Sequence, residues 1–146
     1  MKEWAQLKEL VDILNPFYEA TQLTQGEFKP TINLVVPTVL ALNRHLTNFS
    51  KKAKYLRSLT TALNQSSRKR YKGVFNNVGM EGENDGLGSA HNFGETVYLS
   101  AAVLDPTFAQ HWLVDVYISS EEKDVLCSKI KGIVQSLHSL AGYTVL

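Results

Sequence analysis

Residues 31–50, TINLVVPTVLALNRHLTNFS, carry the reading on which the fold class turns. Ile32, Val35, Val36, Val39, Leu42, Leu46 and Phe49 recur there at steps of three and four, which keeps one face apolar from Thr31 to Ser50. The β-branched residues of the first half would suit a strand. The length of the run and its spacing outweigh them, because strands seldom exceed ~10 residues and line a face at every second position. The spacing predicts a helix.

Toward the N-terminus, Trp4, Leu7, Val11, Leu14 and Tyr18 follow the same alternation, with Lys2, Glu3, Lys8, Glu9 and Asp12 off the stripe. This predicts an amphipathic helix. Pro16 lacks an amide hydrogen and crowds the preceding turn, so a kink or a restart is expected there. Thr21 to Pro30, with Gly26, reads as a connector.

Toward the C-terminus, Ala53, Leu56, Leu59 and Leu63 predict a third helix to about Gln65, with room to continue through Tyr71. Between Asn76 and Asn92 come Gly79, Gly82, Gly86 and Gly88 among Asn, Glu and Asp, which predicts a long, mobile, acidic loop. Thr96 to Leu104 is apolar and ends at Asp105-Pro106; the alanine pair Ala101-Ala102 favours helix over strand. Phe108, His111, Trp112 and Val116 form a short helical element. Ser119 and Glu122 stand at the capping-box spacing. Val125, Leu126, Ile130, Ile133, Val134, Leu137 and Leu140 then predict the buried face of a last helix that Gly142 stops. The expected fold is all-α: one irregular multi-helix domain over residues 1–146, with about five or six helices and the loop 76–92.

With 146 residues, 44% of them hydrophobic, the chain has material for one core but hardly for two. The run from Ile32 to Leu42 is interrupted by Asn33, Pro37 and Thr38 and falls short of the roughly 20 residues that span a bilayer, so no membrane association is expected. Cys127 has no partner in the chain and no signal-like apolar run opens it, which fits an intracellular, reducing compartment.

The net charge of +1 hides a polarised sequence. From Arg44 to Lys72 the ionisable residues are Arg44, His45, Lys51, Lys52, Lys54, Arg57, Arg68, Lys69, Arg70 and Lys72, with no acid. From Gly73 to Val125 acids dominate, opposed only by Lys123. Lysine and arginine on a phosphate backbone displace condensed counterions, and a stretch free of carboxylates keeps that gain. Arg68, Lys69, Arg70 and Lys72 around Tyr71 are the densest candidates for nucleic-acid contact, followed by Lys51, Lys52 and Lys54. The plainer reading is a solvated helix face, or pairing with the acidic half of the same domain.

Little else points to chemistry. Cys127, His45, His91, His111 and His138 follow no metal-ligand spacing, and Cys127 reads as a small buried apolar residue. No nucleophile elbow is present, and Gly86-Leu-Gly88 lacks the preceding strand of a phosphate loop. Asp105 reads as a turn residue before Pro106, and Asp115 as a solvated charge. No catalytic residue, metal, cofactor or small-molecule substrate is expected.

In order, Trp4, Leu7, Leu10, Leu14, Pro16-Phe17 and Thr21-Gln-Leu23, then Thr31 to Pro37 continuing to Leu46, then Arg70-Tyr71, then Ala101-Ala-Val-Leu104-Asp105-Pro106 with Phe108, resemble the hAT transposases and the BED-finger proteins related to them. The likeness runs from Trp4 to Leu137. It implies a nuclear protein and the all-helical domain inserted into a ribonuclease-H-like fold, contacting DNA while the metal-binding carboxylates lie on flanking sequence. The family has Arg, Phe and Lys after Leu-Asp-Pro, whereas this chain has Thr107, Phe108 and Ala109. The expectation is a non-catalytic, transposase-derived domain with DNA as partner, and with any protein partner or self-association lying outside this chain. Two rival readings are a structural piece of an active transposase and a protein-interaction scaffold built on an exposed apolar stripe.

Overall fold

A computed structural model of the chain describes residues 1–26, 28–80, 92–108 and 111–142. These form six α-helices and no strand: α1 (Lys2–Thr24), α2 (Val35–Lys52), α3 (Arg57–Arg70), α4 (Lys72–Asn77), α5 (Thr96–Leu104) and α6 (Ser120–Gly142). Short 3-10 turns occupy Ile32–Leu34 and His111–Asp115. The all-α expectation therefore holds, and 31–50 is helical once past its opening turn.

Helix α2 is the central rod. Pro37 sits in its first turn, where the amide would have no intrahelical partner, so its missing N–H costs nothing. Val36, Val39 and Leu40 on its inner face belong to one buried cluster with Val74, Phe75 and Val78, Leu99 and Ala102 of α5, Trp112 and Val116, and Leu126 and Ile130 of α6. Asp105 closes α5 as expected, one carboxylate oxygen accepting from the Thr107 amide at 2.8 Å and the other from the Asn33 amide group. The capping box of α6 is formed as read: the Ser119 amide donates to Glu122 Oε2 at 2.9 Å, and the Glu122 amide donates to Ser119 Oγ at 3.3 Å.

Several expectations are corrected. The expected loop does not begin at Asn76: Asn76 and Asn77 end α4, and Val78 is fully buried. Gly79 adopts φ 76°, the Gly79 amide donates to the Asn76 carbonyl and the Met80 amide to the Phe75 carbonyl. That is a Schellman cap, so the first glycine of the stretch terminates a helix. Residues 81–91, with Gly86-Leu-Gly88 and His91, lie outside the described residues.

Helix α1 continues through Pro16 to Thr24, four residues into the expected connector, with the Thr21 and Thr24 hydroxyls donating to the carbonyls of Phe17 and Ala20. The Trp4–Tyr18 stripe is not the side that the fold covers. Ile13 is fully buried and Leu10, Phe17 and Ala20 are partly covered, while Trp4, Leu7, Val11, Leu14 and Tyr18 are all exposed. On α6 Leu126 and Ile130 are buried and Ile133 packs against the same core, while Val125, Val134 and Leu140 are exposed. Cys127 is only partly buried.

The chain returns from the undescribed segment at a tight crossing. Asn77 Nδ2 donates to the Gly94 carbonyl at 2.9 Å, and a β-carbon placed on Gly73 would lie 2.3 Å from the Gly94 nitrogen. Phe93 takes a left-handed conformation (φ 63°) that costs a non-glycine residue energy. Its ring is held between Tyr71 and Tyr98, at centroid distances of 5.0 and 5.4 Å.

Candidate nucleic-acid interface

Helices α2 and α3 form an antiparallel hairpin through the connector 53–56. The direction follows from its cross-links: Asn64 Nδ2 donates to Thr47 Oγ1, and Arg68 Nε to Asn43 Oδ1. As a result, the basic residues divide between two ends. Lys51, Lys52 and Lys54 are exposed at the tip, while Lys69 and Arg70 are exposed at the far end of α3, beside Arg68 and Lys72. At 1.5 Å per residue, 14 helical residues hold the two groups ~20 Å apart. Between them the outward positions of α3 are Arg57, Ser58, Thr61, Ala62, Gln65 and Ser66, all exposed and none acidic.

The expected residues do not all play one part. Arg68 is partly buried; besides the bond to Asn43, its guanidinium lies 5.2 Å from the centroid of the Phe75 ring. It braces α2, α3 and α4 together, so its charge is tied to the frame. Lys72, partly buried in the first turn of α4, is also engaged by the fold. Lys51 and Lys52 end α2, and Lys69 and Arg70 end α3, where cations offset the negative end of the helix dipole. A cleft of about 420 Å³ on the adjoining face of α2 is lined by Ala41, Arg44, His45, Asn48, Lys52 and Asp115.

Two contacts that hold this surface join residues far apart in sequence. The carboxylate of Glu9 on α1 accepts the amides of Lys54 (2.8 Å), Tyr55 (3.0 Å) and Leu56 (3.0 Å). These donors lie in the connector before α3, whose own N-cap, Leu56, offers no side-chain bond. The bonds, that from Lys54 first, hold the Glu9 carboxyl below its ordinary range. Arg44 Nη1 meets Asp115 Oδ1 at 2.5 Å, and this bond raises the arginine above its ordinary value. Asp115 is thus buried and paired, not solvated as its sequence context indicates. On the other side of the core, Lys129 of α6 donates to the Asn77 carbonyl at 3.1 Å, and burial pushes its ammonium down.

Among the described residues no three of His, Cys, Asp and Glu stand together as metal ligands, and no described helix is long and apolar enough to cross a membrane. Compared with family models, with curated proteins and with solved structures, the chain matches none. The likeness to hAT transposases therefore stands on the residues quoted for it alone.

Proposed function

We propose that the domain is a non-catalytic, transposase-derived helical module of a nuclear protein that binds duplex DNA through the outer face of α3. The observation that carries this reading is the pair of exposed cationic groups, Lys51, Lys52 and Lys54 at one end and Lys69 and Arg70 at the other, joined by a polar helix face without a carboxylate. A flat, hydroxyl- and amide-rich strip between two clusters of cations meets the needs of phosphate contact, in which charge supplies affinity and short polar side chains fix position. The non-catalytic part is supported by four of the acids: Glu9 holds the connector before α3, Asp105 turns the chain after α5, Asp115 pairs with Arg44 and Glu122 caps α6. Each has a structural task that takes it away from general acid-base work.

The test is duplex binding as a function of salt. Each neutralised phosphate contributes about 0.9 to the log-log slope, so Lys69→Ala with Arg70→Ala should reduce the slope by roughly 1.8, and the triple change at Lys51, Lys52 and Lys54 by roughly 2.7. Arg68 is left intact because its loss would disturb the frame. No binding near 50 mM salt, or slopes that do not change in either variant, would refute the reading.

A further inference from the structure

Helix α1 is apolar on two separate faces, about 120° apart around its axis, and the fold uses one of them. Ile13, with Leu10, Phe17 and Ala20, packs toward α2. The other side stays open: Trp4 is 76% exposed, Leu7 49%, Val11 57%, Leu14 44% and Tyr18 64%. Those fractions leave on the order of 600 Å² of side chain uncovered, so two such faces laid together would remove at most roughly 1,200 Å² from water, the lower end of specific interfaces.

The pattern of the stripe names its occupant. The five residues repeat at 3, 4, 3 and 4, the seam of a two-stranded left-handed coiled coil. Trp4, Val11 and Tyr18 take one seam position, and Leu7 and Leu14 the other. Val11 and the two leucines match the β-branched and leucine pairing that favours two parallel strands, while Trp4 and Tyr18 put bulky rings at the two ends of the seam. The flanks agree. Glu3 precedes the seam at Trp4 and Lys8 follows it at Leu7, and both are exposed. In a parallel, in-register pair each Glu3 faces Lys8 of the partner subunit, giving two symmetric ion pairs; an antiparallel pair would set Glu3 near Phe17 of the partner subunit instead. Pro16, the residue that weakens the helix, lines a cleft with Thr38, Ala41 and Leu42 of α2, away from the seam.

We infer that this domain forms a parallel homodimer in which α1 pairs with α1 of a second copy along Trp4, Leu7, Val11, Leu14 and Tyr18. The seam covers two heptads, so the dimer dissociates on dilution and the 16.3 kDa chain carries its own assembly surface.

Sedimentation of the full chain from about 1 to 200 μM should show the mass doubling across the series, in the range of a modest interface. Leu14→Glu should return the chain to monomer at every concentration with its helical circular dichroism unchanged, since the side chain lies on the surface. Orientation is read separately by Trp4→Cys in a Cys127→Ser background. Two Trp4 positions meet only in the parallel arrangement, so mild oxidation should yield a disulfide-linked dimer. Glu3→Lys should weaken association several-fold, and adding Lys8→Glu should restore it. A single 16.3 kDa species throughout, or a dimer indifferent to Leu14→Glu, overturns the proposal. A dimer that neither cross-links at position 4 nor recovers on charge exchange overturns its parallel register.

Discussion

Two glycines in helices should respond oppositely to the same substitution. Glycine in a helix interior costs roughly 0.5–1 kcal/mol relative to alanine, so propensity alone makes Gly→Ala favourable at either site. At Gly132, exposed in α6, an added β-carbon meets nothing within 4 Å. Gly132→Ala should gain nearly the full propensity difference and raise the melting temperature by roughly 2–4 °C. At Gly73 in α4 the same carbon would lie 2.3 Å from the Gly94 nitrogen, 2.5 Å from its α-carbon and 2.6 Å from the Asn92 carbonyl oxygen. All three are backbone atoms, and the segment that holds them is fixed by the Asn77 amide bond and by Phe93 wedged between Tyr71 and Tyr98. Relief needs a shift of about 1 Å in that segment, with an overpacking cost of about 1–3 kcal/mol plus loss of the ring contacts. The net expectation for Gly73→Ala is about 2 kcal/mol of destabilisation, a fall of roughly 6 °C. Thermal unfolding followed at 222 nm, with urea titrations giving the free energies, measures both. A Gly73→Ala protein that melts at or above the parent would show that the α4 crossing is not packed as described.

Acid should weaken the fold through Glu9, Asp105 and Glu122, whose carboxyls are all held below their ordinary values, Glu9 chiefly by the Lys54 amide, Asp105 by Asn33 and Glu122 by the Ser119 amide. The sign follows from linkage: the stabilisation is complete above the ordinary value, 4.5 for Glu9, and is lost as pH falls through the lowered one. Glu9→Gln should therefore melt lower than the parent near neutrality and converge with it in acid; parallel curves at all pH would contradict the Glu9 bonds. Ser119→Ala removes the hydroxyl that accepts the Glu122 amide and should cost about 1 kcal/mol, read as a lower urea midpoint with unchanged slope.

How far the fold was legible depends on how local its causes are. The helical character of 31–50, the stop at Asp105 and the Ser119–Glu122 box are written within a few residues of one another, and each is found as read. The orientation of α1 is not local. A helix with two apolar faces offers two ways to turn inward, and the choice of Ile13 over the Trp4–Tyr18 stripe is made by α2. Helix α4 was hidden because Val74, Phe75 and Val78 are too few to establish a period and Gly79 reads as loop when it is a cap. Of the basic residues, composition located the cluster, but it could not tell the exposed Lys69 and Arg70 from Arg68, which Asn43 and Phe75 hold. Nor could it see Glu9 reaching Lys54 45 positions on, or Arg44 reaching Asp115 across 71.

The Glu9 clamp has a thermodynamic corollary. It belongs to the helix with the open apolar side, yet it ties down the connector that leads into the helix with the cationic side. A tilt of α1 large enough to stretch three hydrogen bonds by about 1 Å would break them and let the start of α3 fray. Whatever steadies α1 must then steady the hairpin tip, and whatever grips the tip must hold α1 in place.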